Sequence, residues 1–287
     1  MSSVSSPATV KVGTSGFSFP DWRGIIYPKG TPQREELIYY AQALGFDCLE
    51  INATYYAIIS GKSAAAMEKK TGKNFEFVVK GYRGFTHDPF DSRLKEKKPP
   101  LEKAFEDIER FKESLSPFIS AGKLGCVLLQ FPVFFYPSAK SEDYILECAQ
   151  RFDRIPLVIE FRNSGWAKKE TFDFLRKNKL AFCVVDEPSL PRLMPFTNEV
   201  TSPDIAYLRL HGRNKNWFNV PASERYDYFY SDDELKEFIP EIEKMSGEAM
   251  KTYIFFNNCH AGSAAKNASK MKDLLGMDQG GSLLFYT

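Results

Sequence analysis

The sequence lacks the features that assign a protein to a membrane or to a secretory route. No apolar run approaches the ~20 residues that a membrane-spanning helix needs. The opening stretch, MSSVSSPATV, has neither the basic start nor the apolar core of a signal peptide. The formal net charge of +1 gives no overall attraction to nucleic acid or to a membrane surface. We therefore expect a cytoplasmic protein without a membrane partner.

Cysteine is scarce, and its spacing predicts neither a disulfide framework nor a metal site. The chain has five cysteines, an odd number, and no two of them form a close pair. Cys48, Cys126 and Cys183 lie within apolar runs, where a free thiol behaves as a small hydrophobic group. Walker, GxGxxG, GxSxG and HExxH motifs are also absent. No single short motif therefore assigns a function.

What the sequence does contain is a regular alternation of short apolar runs and helical patterns. Eight runs have the β-branched and aromatic content of buried strands, and stretches with helical periodicity separate them. The predicted strands are residues 10–13, 47–53, 75–80, 124–131, 157–162, 181–185, 205–211 and 252–257. The predicted helices include residues 31–44, 101–121, 141–152, 168–179, 232–245 and 263–276.

This alternation predicts an α/β fold of the (β/α)8 TIM-barrel type, with a single parallel barrel and outer helices. Strands separated by helices pair in parallel through right-handed crossovers. Polar residues occur in nearly every predicted strand instead of at one switch point, which favours a closed barrel over an open sheet. We expect one domain over residues 10–287, preceded by a disordered tail of residues 1–9.

Polar side chains recur towards the carboxyl ends of the predicted strands. The two-residue period of a strand places several of them in pairs on one face, and others end their runs. The pairs are Glu50 with Asn52, Glu160 with Arg162, and Arg209 with His211. Because a barrel gathers the carboxyl ends of its strands at one mouth, we expect a single cavity there. It would hold Glu50, Lys80, Gln130, Glu160, Asp186, Arg209, His211 and Asn257.

The charges at this mouth predict a balanced site that moves protons. Three carboxylates, those of Glu50, Glu160 and Asp186, would face the cations of Lys80, Arg162 and Arg209. Opposed charges can hold a ligand while one carboxylate with a shifted pKa transfers a proton. Glu160 is the first candidate, since Arg162 on the same face can hold it, and Lys80, Asp186 and His211 would assist. The alternative is an internal ion-pair network that only fills the barrel.

Lys80 has two candidate roles at the end of its strand. It can form a Schiff base if burial and neighbouring charge lower its pKa. It can equally act as a cation for a phosphate or carboxylate, and we favour this second role. A structural ion pair with a glutamate is the third alternative.

Metal binding is the next question that these residue types raise. Glu50, Glu160, Asp186 and His211 are ligand types that hold manganese or magnesium. The three cations of the mouth would repel such an ion. We therefore expect no cofactor and no tightly bound zinc, and at most a loosely held divalent ion.

Further ligand-binding candidates lie in the loops that follow the strands. They are Trp166, Arg213, Asn214 and Trp217. The HGRN segment at 211–214 and the NN pair at 257–258 occupy the seventh and eighth strand ends, where barrels often bind phosphate; turns that need glycine are the alternative. The long third and seventh loops mix basic and aromatic residues, which suits a nucleotide or single-stranded nucleic acid. We favour the alternative interpretation that both loops are ordinary solvated loops.

Ordered motifs along most of the chain carry a family resemblance. The strings VGTSGFSFPDWRGIIYP, EINATYY, FVVK followed by FTH, KLGCVLLQFP, VIEFRNSGW and YLRLHGRN resemble the YecE-like family, the domain of unknown function family numbered 72. The resemblance covers residues 12 to about 275 and implies a TIM-barrel-like fold, with no established activity. DNA-repair endonucleases share that fold, but their three-zinc cluster needs several histidines, and this chain has only three.

Together these patterns predict an enzyme that uses acid–base chemistry on a small polar or anionic ligand. A sugar or phosphorylated metabolite, bound at the carboxyl-terminal mouth of the barrel, fits best. One alternative is a nucleic-acid-binding or phosphodiester-cleaving protein, and another is a barrel that binds a ligand without turnover. The sequence selects no reaction class, substrate or oligomeric state.

Overall fold

A computed structural model describes residues 8–277, and eight parallel strands form its centre. The strands are β1 Thr9–Thr14, β2 Cys48–Ile51, β3 Glu76–Lys80, β4 Leu124–Phe131, β5 Leu157–Phe161, β6 Ala181–Asp186, β7 Ile205–Leu210 and β8 Lys251–Phe256. They pair in the order β1-β8-β7-β6-β5-β4-β3-β2. The predicted (β/α)8 TIM-barrel-like fold is confirmed. Most of the predicted tail, residues 1–9, lies outside the described residues, and Thr9 already belongs to β1.

Gly13 allows the barrel to close between β1 and β2. A Cβ atom at this position would lie 2.5 Å from the Cys48 carbonyl oxygen, closer than a real side chain comes to a backbone. Just beyond, Ser15 pairs with Glu50, and the Gly16 amide donates to the Glu50 carbonyl at 2.8 Å. The two end strands of the pairing order therefore meet at their carboxyl ends.

Helices surround the barrel between successive strands. They are α1 Gln33–Gln42, α2 Gly61–Glu68, α3 Arg83–Thr86, α4 Leu101–Ser114, α5 Ser116–Ser120, α6 Ala139–Phe152, α7 Lys169–Lys177, α8 Ala222–Arg225, α9 Asp232–Glu237, α10 Ile239–Glu248 and α11 Ser263–Leu274. Across residues 8–277, none of them is both long and apolar enough to cross a bilayer.

Proline divides two of the predicted helices. The predicted helix 101–121 is two helices, α4 and α5, and Pro117 lies in the first turn of α5. The predicted helix 232–245 is likewise α9 and α10, with Pro240 in the first turn of α10. Proline has no N–H and is tolerated only where a helix begins, so each proline starts a new helix.

Candidate functional site

Arg209 lies at the centre of an ion network inside the barrel. Its side chain is fully buried on β7, and its two terminal nitrogens donate to Glu50 Oε1 and Glu160 Oε2, each at 2.6 Å. The Tyr207 hydroxyl donates to the other Glu50 oxygen at 2.6 Å. A buried charge is tolerated only when it is paired and hydrogen bonded. The network therefore ties β2, β5 and β7 together near their carboxyl ends.

Arg162 connects this network to the mouth of the barrel. Its Nε lies 2.5 Å from Glu160 Oε1, and its Nη1 donates to Glu187 Oε2 at 2.5 Å. Its Nη2 lies 3.0 Å from His211 Nε2. Because an arginine stays charged and its guanidinium is planar, these contacts fix both the charge and the orientation of the group.

The pKa values of the buried groups follow from this network. Burial alone would raise the pKa of Glu160, but Arg162 and Arg209 hold it well below its ordinary value. Burial raises the pKa of Glu187 to about 7, although Arg162 opposes the shift. Burial together with the two arginines lowers the pKa of His211 well below its ordinary value. Glu160 is therefore ionised and His211 neutral at neutral pH, so His211 Nε2 can accept from Arg162.

Above the network lies a cavity of about 520 Å³ at the carboxyl ends of the strands. Four cationic side chains line it, and none of its lining residues, all within 8–277, is an aspartate or a glutamate. The cations are Lys80, Arg93, Arg162 and Arg225. Carboxylates thus stabilise the cavity from below while its surface presents positive charge.

Among the described residues, Lys80 has no charged partner, unlike the lining cations Arg93 and Arg162, which pair with carboxylates. It ends β3, is half-buried, and places Nζ 4.9 Å from the centre of the Tyr55 ring. No carboxylate in the part of the chain that the structure describes lies within 4.0 Å of Nζ. Burial lowers the pKa of Lys80, and Arg209 and Arg162 lower it further, to about 7. At neutral pH, a much larger fraction of this amine is therefore uncharged than of an ordinary lysine.

Two arginines lie over the ring of one tryptophan in the wall of the cavity. Trp217, a predicted ligand-binding residue, lies in the loop after β7, and the guanidinium carbons of Arg162 and Arg225 each lie 5.8 Å from its ring centre. Arg225 donates from Nε to the Trp217 carbonyl at 2.8 Å. Among the described residues, Arg225 has no carboxylate within 4.0 Å. Its charge is therefore free to attract an anion.

His87 is a cavity residue that the sequence patterns do not indicate. Its Nε2 lies 3.4 Å from Gln130 Nε2, and its ring stands nearly perpendicular to Tyr55 at 4.8 Å. Burial and the neighbouring Lys80 lower the pKa of His87 to about 3. The four-residue helix α3 brings it to the mouth, and such a short helix has too few residues to show periodicity.

The prediction that Asp186 shares this cavity is wrong. It accepts from the Tyr230 hydroxyl at 2.6 Å and from Arg213 Nε at 3.1 Å, and it does not line the cavity. The next residue, Glu187, is the one that contacts Arg162. All six residues of β6 are buried, so the strand shows no alternation from which to choose the inward face. A one-residue slip exchanges the two faces.

Arg213 and Asn214 also lie apart from the cavity lining. Arg213 binds Asp186 and contacts Glu237 at 3.2 Å. Asn214 donates to the carbonyls of Glu224 and Asp227, at 2.8 and 3.0 Å. Both side chains therefore hold the loop after β7 instead of facing a ligand.

Trp166 supports the wall of the barrel from behind. It is fully buried, stacks on Phe161 at 4.3 Å, and donates from Nε1 to the Phe135 carbonyl at 2.8 Å. Its size and hydrogen bond are those of a packed core tryptophan. Its predicted place as a ligand contact is not supported by this position.

The remaining predicted residues fall into two layers. The residues that line the cavity are Asn52, Lys80, Gln130, Arg162, Trp217 and Asn257. The residues buried beneath it are Glu50, Glu160, Arg209 and His211. Asn257 joins the layers, since its side-chain amide lies 2.9 Å from His211 Nδ1 and 3.3 Å from the Asn52 amide.

No metal-type cluster occurs at this site. Within residues 8–277, no group of three or more histidine, cysteine, aspartate or glutamate side chains could hold an ion. Of the four proposed metal ligands, Glu50 and Glu160 bind arginines, and Asp186 faces away from the cavity. The side chains that are present fit an anion better than a cation.

Comparison with known proteins agrees with the motifs in the sequence. The family model "Protein of unknown function DUF72" matches residues 11–283. The UPF0759 protein YunF of Bacillus subtilis (strain 168) is 30% identical over 288 residues, covering 95% of this chain and 96% of that protein. A solved DUF72 family protein from Thermotoga maritima is 42% identical, with a TM-score of 0.83 over 93% of this chain and 99% of that one. Another, from Enterococcus faecalis, is 29% identical, with a TM-score of 0.81 over 94% and 96%. The predicted resemblance is confirmed.

Proposed function

Because this chain belongs to the DUF72 family of unknown function, we propose a function from the geometry of its mouth: it binds a small anionic ligand and catalyses acid–base chemistry on it. One observation carries the proposal. The cavity surface has four cations and no carboxylate among its described lining residues. Arg162 and Arg93 pair with carboxylates outside the lining, whereas Lys80 and Arg225 have no carboxylate within 4.0 Å among the described residues. A phosphorylated sugar or another small carboxylate or phosphate is the ligand class that this arrangement favours.

Arg162 and Arg225, which both lie over the ring of Trp217, form the proposed anion site. Two carboxylates hold Arg162 in place, and Arg225 has none within reach, so the pair combines a fixed guanidinium with an uncompensated charge. Arginine pairs with phosphate and carboxylate through two parallel hydrogen bonds, which are about twice as strong as neutral ones. Trp217 packs against both guanidiniums and limits their movement.

Lys80 is the proposed acid–base group. A general base works best when its pKa lies near the working pH, and burial with the two arginines brings that of Lys80 to about 7. Its Nζ faces the cavity and has no carboxylate within 4.0 Å among the described residues. It is therefore free to take a proton from a ligand that the arginines hold.

Glu160, the first candidate from the sequence, suits a different role. Its side chain has no exposed surface, and Arg162 and Arg209 occupy its two oxygens at 2.5 and 2.6 Å. A ligand in the cavity cannot reach it. We assign Glu160 the positioning of Arg162, together with the buried and neutral His211.

Binding of nucleic acid, the main alternative, has weaker support from the mouth. Arg93 is neutralised by Asp91 at 2.7 Å, and Arg213 by Asp186 and Glu237. Exposed aromatics at the rim, Tyr56 and Phe218, could still stack on bases. Paired cations release few counterions, however, and they contribute little to binding of a phosphate backbone.

Inorganic phosphate tests the anion site directly. We expect phosphate to change the fluorescence of Trp217, because Trp217 lines the cavity. The other two tryptophans, Trp22 and Trp166, are fully buried in the core and should not respond. Arg225→Met should weaken phosphate binding roughly 10-fold or more, since a hydrogen bond to a charged group contributes about 1.5–3 kcal/mol. Titrations followed by fluorescence and by calorimetry measure the affinity.

The control for this titration removes the same charge elsewhere. Arg34 is highly exposed on α1, and Arg34→Met should leave the phosphate affinity unchanged. Trp217→Phe should abolish the fluorescence change while calorimetry still detects binding. If Arg225→Met and Arg34→Met bind phosphate equally well, the proposed anion site is wrong.

A further inference from the structure

We infer that Lys80 forms a covalent imine with ligands that carry a carbonyl next to an anionic group, such as 2-oxo acids. The inference rests on the proposed function, because it uses the same anion site and the same amine. It adds a class of substrate and a covalent bond between Lys80 and that substrate. In the proposed function the lone pair of Lys80 takes a proton, whereas here it first attacks carbon.

The position of the amine is the first support. Lys80 ends β3 at the carboxyl mouth, and its Nζ faces the cavity against the Tyr55 ring. No carboxylate in the described part of the chain lies within 4.0 Å of Nζ, so no ion pair stabilises the protonated form of the amine. A nucleophilic lysine needs an amine that the ligand can reach and that no carboxylate keeps protonated.

Two lysines with buried side chains elsewhere in the chain are paired with carboxylates. Lys11 contacts Asp47 at 3.0 Å, and Lys123 contacts Glu68 at 2.7 Å. Despite burial, these carboxylates raise the pKa of Lys11 above its ordinary value. A third buried lysine, Lys272, donates from Nζ to the Gly45 carbonyl at 2.6 Å. Lys80 differs from all three, because its Nζ makes neither an ion pair nor a hydrogen bond with a described residue.

The charges around Lys80 supply the neutral amine that attack on carbon requires. Burial lowers its pKa, Arg209 and Arg162 lower it further, and Glu160 and Glu50 oppose them, with a result of about 7. An ordinary lysine, with a pKa of about 10.4, is less than one part in a thousand neutral at neutral pH. Lys80 should thus present its lone pair far more often than a surface lysine.

The proposed step balances without an oxidant or a reductant. The neutral nitrogen bonds to the carbonyl carbon as the C=O π electrons move to oxygen, and one proton moves from nitrogen to that oxygen. With a second proton from solvent, the hydroxyl leaves as water, and the C=N bond forms as a protonated imine. This positive charge makes hydrogen on the adjacent carbon more acidic, so proton exchange with water follows.

The anion site determines which carbonyl compounds fit. Arg162 lies near enough to Lys80 to lower its pKa, and it lines the same cavity. A carboxylate bound at Arg162 would therefore hold a carbonyl on the neighbouring carbon close to Nζ. This proximity favours 2-oxo acids over neutral aldehydes. A bound 2-oxo acid is already oriented towards the amine, whereas a neutral aldehyde must meet the amine from solution.

Reductive trapping with glyoxylate tests the inference on the intact protein. Glyoxylate carries an aldehyde next to a carboxylate, and sodium cyanoborohydride reduces the imine to a stable secondary amine. At neutral pH we expect modification of Lys80 to be at least about 10-fold faster than that of the exposed Lys215, because far more of its amine is neutral. Peptide mass spectrometry over time measures the rate at each lysine.

Three comparisons separate the imine from the anion site. Lys80→Met should remove the fast modification, and Lys215→Met should leave it unchanged. Inorganic phosphate should slow the labelling of Lys80 by glyoxylate, and propanal should label Lys80 more slowly than glyoxylate does.

Two outcomes distinguish failure of the imine from failure of the anion site. If Lys80 is labelled no faster than Lys215 while phosphate still changes Trp217 fluorescence, the imine is overturned and the proposed anion site is left intact. Fast labelling that neither phosphate nor the missing carboxylate affects supports the imine and contradicts the anion site.

Discussion

Glu160→Gln should lower the free energy of unfolding by about 3–5 kcal/mol, the usual cost of removing one member of a buried ion pair. The carboxylate has no exposed surface and accepts from Arg209 at 2.6 Å while contacting Arg162 Nε at 2.5 Å. In the variant, the amide can accept from one arginine, but its NH2 group then faces the N–H groups of the other. For a chain of this size, the melting temperature should fall by roughly 10 °C.

Thermal melting at neutral pH and in acid measures this effect. Burial would raise the pKa of Glu160, but Arg162 and Arg209 hold the folded-state pKa well below the unfolded value of about 4.3. The stabilisation is therefore complete above about pH 4.3 and is lost as the pH falls through the folded value. The difference between wild type and variant should shrink in acid.

Glu243→Gln, on the exposed surface of α10, is the control and should melt within about 1 °C of wild type. A Glu160→Gln variant as stable as this control would show that the network does not hold the barrel together.

The sequence left two interpretations of the charged residues open, and the structure supports a part of each. The internal ion-pair network exists, and it contains Glu50, Glu160 and Arg209. A cavity with free positive charge also exists, directly above it. Arg162 belongs to both, since carboxylates hold it from below while it lines the cavity. Stability and ligand binding are therefore assigned to different layers of one site.

Strand periodicity identified the inward face where two polar residues alternate along a predicted strand. In the predicted strands 157–162 and 205–211, the pairs Glu160 with Arg162 and Arg209 with His211 mark the inward face. In the structure, Arg162, Arg209 and His211 all lie within 4.0 Å of the Glu160 carboxylate. In β6 the apolar run contains a single polar residue, Asp186, and both faces of the strand are buried. Without a second polar residue to set the register, the strand offered no basis for choosing Glu187.

Loop residues were the hardest to place from the sequence. Arg93, Arg225 and Tyr226 belong to the long loops that mix basic and aromatic residues, and all three line the cavity, although no sequence pattern indicates them individually. Their positions depend on short helical turns and on single contacts, such as the hydrogen bond from Arg225 to the Trp217 carbonyl. Such contacts leave no repeating pattern, because a loop has no period that relates neighbouring side chains.

Lys80→Met should abolish proton exchange on a bound ligand and, at the same time, stabilise the fold in acid. The wild-type protein, incubated in D2O with small anionic carbonyl compounds, should incorporate deuterium next to the carbonyl, which proton NMR detects. Loss of the amine should slow this exchange roughly 100-fold or more, the usual size of an acid–base contribution. Both the proton-accepting and the imine-forming roles of Lys80 require this result.

The change in stability has a sign that follows from the pKa of Lys80. Burial, Arg209 and Arg162 bring the folded-state value to about 7, below the unfolded value of about 10.4. The protonated amine therefore costs stability, fully below about pH 7 and progressively less up to about pH 10. Lys80→Met should melt at a higher temperature than wild type at about pH 6, and the gain should shrink as the pH rises.

Lys123→Met provides the matched control, because Lys123 is also buried but is paired with Glu68 at 2.7 Å. Its removal leaves a carboxylate without its partner, so this variant should be less stable than wild type at about pH 6 while its folded fraction retains exchange. The opposite stability changes of the two variants distinguish an unpaired cavity lysine from a structural one. If Lys80→Met also loses stability at about pH 6, or if exchange continues at the wild-type rate, Lys80 is not the neutral, reactive amine of this site.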